Sequence, residues 1–124
     1  MGEVRDLAVR AERLLLRWRT RRGEATAVRY LDELSIALEP QGWRFKKLYR
    51  REEFPVPVPL LWIHARATKD VGIVVSVLAT SGGTWSYHEA QWGRNGYLCL
   101  CGNVEGAAAQ IDRVLKRRLF PSGW

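Results

Sequence analysis

The stretch LLWIHARATKDVGIVVSVLATSGGTWSYHEAQWGRNGYLCLC, Leu60–Cys101, decides the fold. It divides into four alternating runs, Leu61–Thr68, Ile73–Thr80, Thr84–Trp92 and Tyr97–Cys101. The cuts between them, Lys69-Asp70-Val71-Gly72, Ser81-Gly82-Gly83 and Gly93-Arg94-Asn95-Gly96, are rich in residues that accept turn dihedrals. Connections this short join antiparallel neighbours, because parallel strands need a long crossover. The expectation is an antiparallel meander.

Pairing the residues that flank each turn sets Thr68 opposite Ile73, Thr80 opposite Thr84 and Trp92 opposite Tyr97. Directly opposed residues share a face, and faces alternate along each strand. In that register one face carries Leu61, Ile63, Ala65, Ala67, Val74, Ser76, Leu78, Ser86, His88, Ala90, Trp92, Tyr97, Cys99 and Cys101. The other carries Trp62, His64, Arg66, Ile73, Val75, Val77, Ala79, Trp85, Tyr87, Glu89, Leu98 and Leu100. A sheet with one wet face shows polar residues at every second position. Here both faces read as apolar, so each needs a cover. The small centre of the first face suits a close helix. The bulky second face reads as an interface, with Trp62, Trp85 and Tyr87 as partner-binding anchors.

The flanking sequence supplies helices. From Val4 to Trp18, the residues Val4, Leu7, Ala8, Ala11, Leu14, Leu15 and Trp18 follow the three-and-four spacing of one buried stripe. Leu16 and Val9 fall off it. Gly23 reads as the stop, and basic residues before it suit the helix dipole. A second helix over Glu24–Leu38 buries Val28, Leu31, Leu34, Ser35 and Leu38 and ends at Pro40 and Gly42. Two helices with so short a link form an antiparallel hairpin, unless the first swings out to another subunit. Trp43 to Tyr49 alternates as an added edge strand. The alternating prolines Pro55, Pro57 and Pro59 read as a stiff connector. Asn103 caps a last helix whose stripe is Val104, Ala107, Ala108, Ile111, Val114, Leu115, Arg118 and Leu119.

The whole is therefore expected to be one α+β domain over residues 1–124. It comprises a helical hairpin over 1–39, a sheet of four to five strands over 43–101 with a connector at 54–59, and a C-terminal helix over 103–119. A chain of 124 residues, 47% hydrophobic, buries a core without disulfide or metal support. No run is apolar enough to span a bilayer. Cys99 and Cys101, two apart on one strand, are poorly placed for a mutual disulfide, so a reduced, cytoplasmic setting is expected, with no membrane partner.

Chemistry-bearing residues are sparse. His88, Cys99 and Cys101 fall on one predicted face and form the one metal-like set, but they lack the spacing of zinc knuckles. Ser76 faces His88 without an orienting carboxylate, and Ser81-Gly82-Gly83-Thr84 precedes a strand rather than a phosphate-holding helix. The sequence therefore assigns no catalytic residue, metal or cofactor. The formal net charge is +7, with arginine supplying most of the 20 basic residues. Arg44, Lys46, Lys47, Arg50 and Arg51 interleave with Trp43, Phe45 and Tyr49, a pattern that can present phosphate contacts and stacking planes to nucleic acid.

Three functions follow, in order. The first is a non-catalytic adaptor or regulatory protein that associates with itself or a protein partner through the aromatic sheet face or the first helix. The second is nucleic-acid binding through residues 43–51. The third is a small-ligand or enzyme pocket lined by tryptophan and histidine.

Overall fold

The computed structural model describes residues 2–49, 58–66, 68 and 70–119, with residues 2–6 described by backbone alone. The helices are α1 (Gly2–Arg22), α2 (Glu24–Leu38) and α3 (Val104–Leu119). The strands are β1 (Arg44–Leu48), β2 (Leu60–His64), β3 (Gly72–Thr80), β4 (Thr84–Glu89) and β5 (Tyr97–Leu100). All five form one antiparallel sheet in sequential order, the expected α+β meander with helices at both ends. Of the proline connector, only Val58 and Pro59 lie within the described residues.

The register differs from expectation at two of three hairpins. Thr80 does oppose Thr84. In β2 and β3, however, Ile63 opposes Ile73 and His64 opposes Gly72. β2 ends four residues earlier than its alternation suggests, Ile73 is opposed by Ile63 in place of Thr68, five positions back, and the Ala65 amide closes the turn on Val71 O at 2.9 Å. That changes the pairing by an odd number of residues, which exchanges faces. β4 likewise ends at Glu89, and Ala90–Gly96 coils as a 3-10 segment, with Gly93 at φ 55° where a side chain is disfavoured. A register shift between Tyr87 and His88 then sets Tyr87 opposite Cys99 and His88 opposite Tyr97.

As a result, the large residues collect on one side. Leu61, Ile63, Ile73, Val75, Val77 and Tyr87 are sealed beneath α2 and α3, against Leu31, Leu34, Leu38, Ala107, Ala108, Ile111 and Leu115. This corrects the two-greasy-face reading, because the predicted interface face is largely the core. The other face carries Trp62, His64, Val74, Ser76, Leu78, Ser86 and His88, mixed in polarity as a sheet's second side usually is.

The C-terminal helix starts as the sequence predicts: Asn103 Oδ1 accepts the Gly106 amide at 3.1 Å, an N-cap on the third helical residue. Trp43 ties β1 to α3 by donating its indole N–H to Asp112 Oδ1 at 2.8 Å. The first two helices do not form the expected hairpin. The Gly23 amide reaches Arg19 O at 2.8 Å and Ala27 reaches Gly23 O at 2.9 Å, so helical hydrogen bonding runs through a bend. α1 leaves α2 at that bend and lies against β3.

Candidate association interface

α1 meets the sheet through its polar side. Thr20 Oγ1 accepts the Ala79 amide at 3.0 Å while donating to Leu16 O at 2.8 Å. Arg19 donates to Thr80 O at 2.9 Å, and Ser81 donates to the Glu12 carboxylate. Leu16 is the buried apolar contact. These groups satisfy the end of β3 that β2, which starts at Leu60 opposite Ser76, does not reach.

The predicted stripe points the other way. Leu7, Leu14, Leu15 and Trp18 are 64%, 63%, 54% and 53% exposed. At 100° per residue, this row lies opposite the Leu16–Thr20 side of the helix. The expectation that it is buried within this chain is therefore corrected: Leu16, off the stripe, takes the core contact, because the hydroxyl of Thr20 and the guanidinium of Arg19 fix the helix rotation. Arg22 covers the end of the row, with its guanidinium 4.9 Å from the Trp18 ring. Arg10, Arg17 and Arg21 edge it, all exposed.

A second exposed apolar feature lies between α2 and α3. It is an open groove of about 450 Å³ lined by Glu33, Ile36, Ala37, Gln41, Val104, Glu105 and Ala108. Ile36 is 67% exposed at its wall, and the charged groups of its lining are both carboxylates.

The three aromatic anchors separate. Tyr87 is fully buried and donates its hydroxyl to Tyr30 O at 2.8 Å; burial raises its pKa above the usual range. Trp85 fills the α1–α2 bend beneath the Arg19 guanidinium, 5.8 Å from its ring centre. Both serve the fold, correcting their assignment to an open interface. Only Trp62 stays on the second face, half-buried and tilted against His64 at 5.1 Å between centroids.

The predicted shared face of His88, Cys99 and Cys101 is also corrected. His88 packs against Tyr97 on the second face, with Nδ1 at 3.1 Å from Ser86 O, whereas Cys99 and Cys101 pack on the helix-covered core. Burial, with help from Cys99 and Glu33, pushes the Cys101 thiol up to about 12. Burial first, then the positive Arg94, lowers the His88 pKa against the opposing pull of the Ser86 carbonyl. Ser76 opposes His88 as expected, but the imidazole is taken by Ser86 O. Among the described residues, no three His, Cys, Asp or Glu side chains converge to hold a metal.

The basic segment is divided as well. Trp43 is buried, and Phe45 and Tyr49 lean into the core, which removes them as stacking planes. Lys47 pairs with Asp32 at 2.9 Å, and Tyr49 donates to the same carboxylate at 3.1 Å. Arg44 and Lys46 lie on the second face, directly opposite His64 and Trp62. Arg50 and Arg51 lie outside the described residues. A tryptophan-lined cleft of about 170 Å³ does exist, where Trp62 meets Asp70, Gly72, Glu89 and Arg118, but neither histidine lines it.

Comparison of the chain with family models, characterised proteins and solved structures finds no match in any of the three. Among the described residues, no helix is long and apolar enough to cross a membrane.

Proposed function

We propose that the chain is a non-catalytic association module, an adaptor or regulatory protein that acts through the exposed side of α1. The observation that carries this reading is the row Leu7, Leu14, Leu15 and Trp18, held outward by the docking of apolar Leu16 and polar Arg19 and Thr20 on the sheet. Four large apolar side chains in one helical row, rimmed by arginine, have the composition of a helix that inserts into a partner's groove. The reading keeps the first-helix half of the sequence expectation and drops the sheet-face half.

Its test is light scattering of the purified chain over a wide concentration range, beside Leu14→Glu and Trp18→Glu. Association that both variants abolish, with unchanged circular dichroism, is the expected result. A wild-type mass fixed at the 14.2 kDa of one chain at every concentration overturns the self-associating form of the reading.

The second reading, nucleic-acid binding, rests on Arg44 and Lys46 flanking half-buried Trp62 and His64 across β1 and β2. It predicts retention of labelled single strands at low salt that Arg44→Glu and Trp62→Ala both weaken and that falls steeply with added salt. No shift at low salt removes it.

A further inference from the structure

We infer that the outward row of α1 docks into the α2–α3 groove of a second copy of this chain, a head-to-tail contact. This rests on the α1 association reading and names the surface that receives it. Three observations support the match.

The first is charge. α1 carries seven arginines against three acidic residues. α2 carries Glu24, Asp32 and Glu33 against Arg29, and Glu39 follows directly. Glu33 and Glu105 stand at the walls of the groove, and Arg10, Arg17 and Arg21 stand along the row. Seating the row in the groove brings guanidinium and carboxylate together at the rim, around a desolvated apolar strip.

The second is dimension. The row from Leu7 to Trp18 is about 16 Å long at 1.5 Å per α-helical residue, and the wall from Glu33 to Gln41 runs about 13 Å through the end of α2 and the 3-10 turn Glu39–Gln41, whose rise is about 2 Å per residue. The floor is made of Ala37 and Ala108, small enough to admit the leucines of an incoming helix, with exposed Ile36 at its wall.

The third is the failure of the simplest alternative. An antiparallel pair of α1 helices, joined about a twofold axis, sets the same flank of each helix against its mate. Arg10, Arg17 and Arg21 would then face a second arginine edge, and like charges so placed are destabilising. Row into groove avoids this. Because the two surfaces differ, the contact is heterologous: it closes as a reciprocal dimer or continues into larger assemblies.

The decisive experiment mixes two variants, each spoiled in one half. Leu14→Glu ruins the row and leaves the groove; Ile36→Glu ruins the groove and leaves the row. Both positions are exposed, so each variant should keep the wild-type circular dichroism and melting. By light scattering each alone should be monomeric, whereas an equimolar mixture should give a species of twice the chain mass. Glu33→Arg with Glu105→Arg should weaken wild-type association at least tenfold. Association that survives Ile36→Glu but is lost in Leu14→Glu overturns the groove while leaving the α1 reading standing. Loss of association by neither variant overturns both. A chain that stays monomeric, yet floats with phosphatidylglycerol vesicles and not with phosphatidylcholine vesicles, places the row on an anionic lipid surface and also overturns the inference.

Discussion

Ser86 and His88 lie two positions apart in sequence, on one face of β4, and both are buried. Ser86 Oγ has no hydrogen-bond partner among the described residues, and a buried, unanswered hydroxyl costs about 1–3 kcal/mol of desolvation. Ser86→Ala removes that cost with a loss of one atom. It should raise the urea midpoint by the equivalent of about 1 kcal/mol without changing the slope. A lowered midpoint would show that the hydroxyl is satisfied in solution. His88 carries a different penalty. Its folded-state pKa lies below the ordinary value of about 6.5, so between the two values the unfolded chain binds the extra proton. Stability is then fully present above pH 6.5 and declines as pH falls toward the folded pKa, by at most about 1.4 kcal/mol per pH unit. Urea melts at pH 7 and pH 5.5 should show this loss, reduced in His88→Gln. Equal slopes in both proteins would remove His88 as its source.

At the scale of elements, the helices were legible where apolar spacing agreed with tertiary demand. The α2 row of Leu31, Leu34 and Leu38 and the α3 row of Ala107, Ala108, Ile111 and Leu115 are buried as their periodicity requires. The sheet's existence and strand order were legible too, from turn chemistry. Its faces were not. In the sequence, Ala65-Arg66-Ala67-Thr68 continues the alternation of β2 and Ala90-Gln91-Trp92 that of β4, although β2 ends at His64 and β4 at Glu89. A period of two has no memory of where pairing stops, and one odd slip moves every later side chain across. The candidate site is misplaced for the same want of tertiary information: alternation puts Trp85 and Tyr87 outside the core, and helical spacing puts the outward row of α1 inside it. The break at Gly23 was legible as a helix stop, but the packing that requires a glycine there was not, because its partner is distant. A Cβ there would run into the Trp85 ring, 62 positions along the chain. Alanine improves helix propensity by about 1 kcal/mol, yet forcing a methyl against a packed indole costs about 1–3 kcal/mol. Gly23→Ala should therefore destabilise, and Gly23→Ala with Trp85→Leu should recover part of the loss. Additive losses in the double variant would break the proposed coupling.

The molecule as a whole is built in two tiers. β2, β3, β4, α2 and α3 share one continuous apolar cluster, whereas none of the described side chains of α1 belongs to it. α1 is held by buried Leu16, the Thr20 and Arg19 hydrogen bonds to β3 and the Ser81–Glu12 contact, with most of its described side chains exposed. Opening of α1 thus exposes little apolar area and leaves the core intact, which sets its free energy well below that of global unfolding. Native-state hydrogen exchange should find α1 amides far less protected than those of β3 and the second half of α2. Leu16→Ala removes the one buried apolar anchor among the described side chains of α1, a change that costs about 2–5 kcal/mol when a buried leucine is fully enclosed. It should collapse protection across α1 while β3 and α3 exchange within a few-fold of wild type. Uniform loss of protection in every element would mean that α1 belongs to the cooperative core. The same experiment bears on association: a partner that grips the outward row stabilises the docked helix by mass action, so α1 protection should rise with protein concentration while that of β3 stays constant.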